Sequence, residues 1–310
     1  MKRYSIHATV MLLCLMLTVA SSVSADRLTV VASVFPLYDF AREVAGSAAD
    51  VRILLPAGVD PHSWEPKPSD IADLSRADIF LYTSGRMEPW TDSIANAVRE
   101  RDILIVEVLD ALGLFNSGGN HGSGETVFDS VHGGGKDPHF WLDLSLSARA
   151  VELIGELFAD SDPANGTLYR SNAGHYIRLI LELDTAFLNG LKDCGSRQLV
   201  TGGHAAFGYL TRRYNLEQVS VYGLTADTEP SPRHLARIVE VVKDNNIQTV
   251  FSEELMNPKM AEVLSQETGA RILALNPAGN LTATLWREGV TFLEIMKSNL
   301  ETIREGLNCE

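Results

Sequence analysis

The sequence predicts an α/β protein of two βα lobes, each built on a mostly parallel sheet, joined by one long helix. Short apolar runs rich in β-branched residues alternate with segments of helical spacing in both halves of the 310-residue chain. That alternation is the pattern of parallel sheets covered by helices. The halves also echo one another. Glu65-Pro66-Lys67-Pro68 leads into IADLSRA and DIFLY, and Glu229-Pro230-Ser231-Pro232 leads into HLARIVEVVKDNN and IQTVFSE. Between them, Leu168 to Leu191 keeps helical periodicity, with apolar residues at Ile177, Ile180, Leu181, Leu183, Leu188 and Leu191. A helix of that length between two βα regions reads as a connecting rod.

The elements follow in order. Residues 1–25 read as a secretory signal, with Lys2 and Arg3 before the apolar run Ala8 to Ala20 and a small-residue cleavage site at Val23-Ser24-Ala25. Leu28 to Val34 is a buried strand and Tyr38 to Val44 a helix. Val51 to Leu55 is a second strand, stopped by Pro56 and Gly58. Pro68 to Ser75 is a helix opened by Ser69 and Asp70, Ile79 to Tyr82 a strand, Thr91 to Arg99 a helix and Ile103 to Val106 a strand. Residues 116–135 break the pattern with seven glycines and two histidines, His121 and His132. This stretch reads as a surface loop that either captures metal transiently or carries its histidines incidentally. The N-terminal lobe is assigned to 26–145 and a helical connector, holding Ser145 to Phe158 and the long helix, to 146–193. The C-terminal lobe is assigned to 194–310. Its strands are Gln198 to Val200, Gln218 to Val221, Thr249 to Phe251 and Arg271 to Leu275, and its helices Phe207 to Arg213, Arg233 to Asn245, Lys259 to Thr268 and Leu285 to Glu305.

Composition narrows the function. The chain carries a net charge of −14, and loss of Lys2 and Arg3 with the signal takes it two lower, to −16. So acidic a surface argues against nucleic acid and anionic lipid and favours cations. The signal places the protein in the periplasm. Cys14, the remaining possibility for a lipid anchor, follows Leu13, where lipid attachment wants a small residue. Of the three cysteines, Cys194 and Cys309 survive cleavage, an even pair that reads as a disulfide closing a long loop.

Three histidines carry the chemistry. His62 in LLPAGVDPHSWEPKPSD, His139 in GKDPHFWLDL and His204 in QLVTGGHAAFGYL each stand where a strand is predicted to run out into a loop. Three neutral imidazoles converging on one point suit zinc. Ligands of open parallel sheets bind beyond the carboxyl ends of the strands, so the cleft between lobes is the expected site. His175 on the long helix reads as a surface or packing residue, and His234, near a helix start, as exposed. Trp64, Phe140, Trp141 and Phe207 adjoin the three histidines and serve either as pocket walls or as core.

In their order, LLPAGVDPHSWEPKPSD, DPHFWLDL, TGGHAAFGYL and LNPAGNLT resemble the substrate-binding proteins of zinc and manganese ABC importers, the ZnuA-like or TroA-like group. The resemblance spans essentially the whole mature chain. It implies two lobes joined by one long helix, one metal ion at their interface, and delivery by a monomer to a membrane permease driven by an ATPase. The family's first three ligands fall on His62, His139 and His204. Manganese-type members usually have a carboxylate at the third position. The fourth position, usually Asp, falls on Asn276, which leaves a nitrogen-rich site suited to Zn2+ over Mn2+ or Fe2+. Asn276 through its amide oxygen, a water, or a carboxylate of Glu253, Glu254 or Asp60 could complete the coordination. Asp60, Asp143 and Glu253 are the carboxylates that could orient the rings.

Two other functions fit parts of the sequence. Three histidines and a water also describe a hydrolytic zinc centre, but no HExxH or nucleophile elbow accompanies them. A surface adhesin would carry adhesive repeats or a wall anchor, which the sequence lacks.

Overall fold

In the computed structural model, residues 27–91, 93–94, 101–114, 137–225 and 230–310 are described. The signal, the Gly/His loop and most of the helix expected at Thr91 to Arg99 lie outside those residues. The first sheet holds β1 (Leu28–Ala32), β2 (Ala49–Ile53), β3 (Ile79–Tyr82) and β4 (Leu104–Glu107) in the order β2-β1-β3-β4. The second holds β5 (Gln198–Thr201), β6 (Glu217–Ser220), β7 (Thr249–Ser252) and β8 (Arg271–Ala274) in the order β6-β5-β7-β8. Every pairing is parallel. The two sheets thus repeat one topology, as the sequence echo predicts. In each, the chain reverses its direction of travel between the first and third strands, which is where such sheets bind ligands.

The helices are α1 (Phe35–Ala45), α2 (Pro68–Leu74), α3 (Val108–Ala111), α4 (Leu144–Ser161), α5 (Gly166–Gly190), α6 (Gly208–Arg213), α7 (Pro232–Asp244), α8 (Lys259–Thr268), α9 (Ala283–Glu288) and α10 (Phe292–Gly306). Helix α5 is the predicted rod. Helix α1 starts three residues earlier than its apolar spacing suggests, because Pro36 fits a first turn. The single helix expected over Leu285 to Glu305 is two. Gly289, at φ 72°, ends α9, and Thr291 with Glu294 forms a capping box that starts α10 afresh.

Alternate residues of the strands enter different cores. Val30 and Leu199 face a large apolar cluster, whereas their neighbours Val31 and Val200 face smaller ones under the outer helices. The large cluster is continuous from β1 through Phe158, Tyr169, Ile180 and Phe187 of α4 and α5 to Phe251, Phe292 and Ile303 of the C-terminal lobe. Asp39 of α1, fully buried, reinforces this join. Its Oδ2 accepts the Tyr176 hydroxyl of α5 (2.9 Å) and the Phe292 N–H of α10 (3.2 Å). The lobes therefore share a core.

Glu88 ties the ends of β1 and β3. Its carboxylate accepts the Ser33 hydroxyl (2.5 Å) and the N–H groups of Thr83 (3.1 Å) and Ser84 (3.0 Å), and burial pushes it up to about 7.

Cys194 and Cys309 are bonded across a separation of 115 residues. The bond joins the end of the connector to the end of the chain, where Gly195 and Ser196 also donate N–H groups to Asn308 and Leu307. Closing so long a loop removes disorder chiefly from the unfolded chain. Replacing both cysteines by alanine is expected to lower unfolding free energy by about 2–5 kcal/mol in a denaturant titration.

Candidate metal centre

His62 lies on the loop after β2, His139 at the entry to a 3-10 turn (Phe140–Leu142), and His204 three residues beyond β5. His139 therefore does not sit at a strand end as its apolar flanks suggest. It is held by the turn that leads into α4. The fold turns all three rings onto one point. Nε2 of His139 lies 3.3 Å from Nε2 of His62 and 3.2 Å from Nε2 of His204. One ligand atom from each residue lies within 4.8 Å of those of the other two. Tetrahedral ligands about 2.0–2.1 Å from zinc stand roughly 3.3 Å apart, so the spacing matches.

Two carboxylates fix two of the rings. Asp137 Oδ1 accepts both the peptide N–H (3.0 Å) and the ring Nδ1–H (2.8 Å) of His139. Glu253, at the end of β7, does the same for His204, with Oε1 on the peptide N–H (2.9 Å) and Oε2 on Nδ1 (2.8 Å). A carboxylate can only accept, so each Nδ1 is the donor and each Nε2 presents its lone pair inward. The sequence Gly202-Gly203 before His204 makes this approach possible. A Cβ at Gly202 would come within 2.6 Å of the Ala261 backbone, and one at Gly203 would fall on the Glu253 carboxylate. His204 and Glu253 thus stand at the reversal point of the second sheet. In the first sheet that point is occupied by Ser33 and Glu88.

His62 differs. Asp60 Oδ1 accepts its peptide N–H (2.8 Å), but its buried Nδ1 has no partner among the described residues. Burial, together with the facing rings of His139 and His204, pushes His62 down to about 2. Burial also holds His139 below the ordinary imidazole value, against the pull of Asp137. For His204 burial acts in the same sense, but the Glu253 carboxylate outweighs it and raises the ring.

The remaining residues sort as follows. Asn276 lines the cavity, but its Oδ1 accepts the Ala278 N–H (2.8 Å) and its Nδ2 faces Glu254 at 3.4 Å. Asp143 orients no ring, because its Oδ1 accepts the Ser145 N–H (2.9 Å) as the cap of α4. Asp60 serves a peptide group instead of a ring. None of Trp64, Phe140, Trp141 and Phe207 lines the cavity. Phe140 and Phe207 are core, Trp64 packs on Trp90, and Trp141 alone meets a ligand ring, 5.4 Å from His139 between centroids. His175 is exposed beside Arg178, and His234 is half-buried against the Ser220 carbonyl instead of exposed. Sequence reasoning passed over Asp137, Met87 and Met256. Met256 Sδ lies 3.3 Å from His204 Nδ1, and Met87 lines the cavity. The signal for Asp137 was present: Asp-Pro-His occurs twice, and Asp accepting the N–H two residues on is a common local turn.

Two like βα lobes around a cluster of three imidazoles, joined by a single long helix, define a solute-binding protein for a metal ion. Residues 30–306 match the family described as zinc-uptake complex component A, periplasmic, and the chain belongs to that family. The high-affinity zinc uptake system protein ZnuA of Bacillus subtilis is 32% identical over 282 residues, 91% of this chain and 88% of that protein. The zinc-binding lipoprotein AdcA of Streptococcus pneumoniae is 33% identical over 300 residues, and the match spans only 59% of its length. Among solved structures, the Zn(II)-bound ZnuA-like domain of AdcA superposes with a TM-score of 0.75 at 30% identity, covering 91% of this chain and 99% of that one. The laminin-binding adhesin Lmb of Streptococcus agalactiae, in a mutant form, gives 0.78 at 30% identity over 90% and 99%.

Asp137→Asn and Glu253→Gln are each expected to weaken zinc binding roughly 10–100-fold in a chelator competition, since each replaces a charged acceptor on the ring nitrogen by a neutral, weaker one. Acid opposes binding. A proton on any ring must be displaced by the metal, and His204 takes one above the ordinary imidazole pKa of about 6.5. Zinc affinity is expected to fall as pH drops through that range in a titration series, and a flat profile would contradict it.

Proposed function

We propose that this protein captures Zn2+ between its lobes with His62, His139 and His204 and delivers it to an ABC-type importer, its permease and its ATPase. The observation that carries the reading is the convergence of three imidazoles, with His139 Nε2 3.2–3.3 Å from the Nε2 atoms of the other two. With Asp137 and Glu253 committed to ring nitrogens and the Asn276 oxygen to a peptide group, water completes the ion's four ligands. Three imidazoles favour zinc over Mn2+ or Fe2+ by the usual order of nitrogen affinity. The charge of the two orienting carboxylates offsets that of the ion, so the dication enters a locally neutral setting.

The reading extends to setting and partners. The basic, apolar and small-residue blocks of residues 1–25 support export to the periplasm, where the monomer meets the permease. Among the described residues no helix is long and apolar enough to cross a membrane. The role is capture, not catalysis. A cavity of about 40 Å³ admits an ion and a water, but an ester or peptide beside the metal has no room.

Calorimetry with the full chain is expected to give one Zn2+ per molecule, with Mn2+ unable to displace it and no zinc-dependent turnover of esters, peptides or β-lactams. His62→Ala, His139→Ala and His204→Ala should each weaken binding by more than the roughly 10–100-fold lost with an orienting group, and His175→Ala should change nothing. An equal loss on changing His175 would refute the ligand set.

A further inference from the structure

His139 and His204 are each gripped at the ring by a carboxylate, whereas the Nδ1 of His62 is buried without a partner among the described residues. What holds His62 reaches its loop from the other lobe. Asn280, 3% exposed, lies between β8 and α9 and donates both hydrogens of its amide across the lobe boundary. One goes to the Pro56 carbonyl (2.7 Å) and the other to the Val59 carbonyl (2.8 Å). Its Oδ1 accepts the Leu281 N–H (2.8 Å), so all three polar positions of the side chain are filled in one orientation. The Gly58 N–H returns to the Leu281 carbonyl (2.7 Å), which closes a second tie between the same two segments. Only Asp60 and Pro61 separate Val59 from His62. Proline fixes its own φ, and Asp60 locks the His62 peptide N–H, so little freedom remains between anchor and ring.

We infer that Asn280 is a positioning residue for the metal, holding the His62 loop so that the third imidazole closes on the ion; this rests on the zinc reading above. An apolar residue at 280 would remove the amide donor from both carbonyls, leaving Pro56 only the Val59 N–H at 3.4 Å, and the loop would be released to shift. His139 and His204 would keep their carboxylates through that shift. His62 has no such second hold.

The test is a double-mutant cycle on the full chain, with Zn2+ affinity and release rate read by a chromophoric chelator. Asn280→Ala is expected to weaken binding about tenfold, with faster release, which is the scale of losing an orienting group. In a His62→Ala background the same change is expected to cost nothing further. Asn280→Ser, which keeps one donor, should fall between wild type and Asn280→Ala. A loss under about twofold, or an equal loss with and without His62, overturns the role. Failure of both variants to fold, judged by circular dichroism, assigns Asn280 to the fold alone and also overturns it. A wild-type chain that binds no zinc removes the zinc reading and this inference with it. Tight binding indifferent to Asn280 removes only the inference.

Discussion

Nε2 of His139 stands 3.2–3.3 Å from those of His62 and His204, and the nitrogens of His139 and His204 are tautomerically fixed to present lone pairs. Lone pairs so close repel unless a cation stands among them. The fold has to supply the force that keeps them there. It does so with a half-buried carboxylate at His139, a buried one at His204 and a peptide-level grip at His62. The arrangement has a thermodynamic cost without the ion, and burial beside two facing rings sets His62 against taking up a proton. Zinc binding and site geometry are therefore one problem, because the carboxylates that orient His139 and His204 also raise the basicity of the nitrogens they turn inward, while burial opposes a proton there.

The shared core is what lets two lobes hold such a geometry. One apolar cluster runs from the first sheet through α4 and α5 into the second lobe, and Asp39 links α1, α5 and α10 within it. Opening the lobes widely would expose that surface to water, at roughly 25 cal/mol for each Å² of apolar area. Movement on loading and release is thus expected of the loops around the rings more than of the lobes.

Much of this was legible in the sequence, for identifiable reasons. Strand β3 and helix α8 have the bounds that their patterns predict, because each is framed by clear polar or turn residues. The three histidines were found by their placement in loops and by the motifs around them. The split between α9 and α10 was written in Gly289 and in Thr291 with Glu294, but continuous helical spacing on both sides masked it. Ring orientation was less legible. Asp137 stands two residues before His139 and Asp143 four after it, and only the turn at Phe140–Leu142 decides that Asp137 meets the ring while Asp143 caps α4. Asn280 lies within the LNPAGNLT motif, but its role was not legible there, because its partners Pro56 and Val59 lie more than two hundred residues away.

The claim beneath all of this is that rings from three distant segments share one ion. X-ray absorption at the zinc edge, on protein loaded with one equivalent, measures that directly. Three imidazoles and one oxygen at about 2.0–2.1 Å are expected, with no sulfur scatterer. Fewer than three imidazoles, or sulfur from Met87 or Met256 at the metal, would contradict a centre built from His62, His139 and His204.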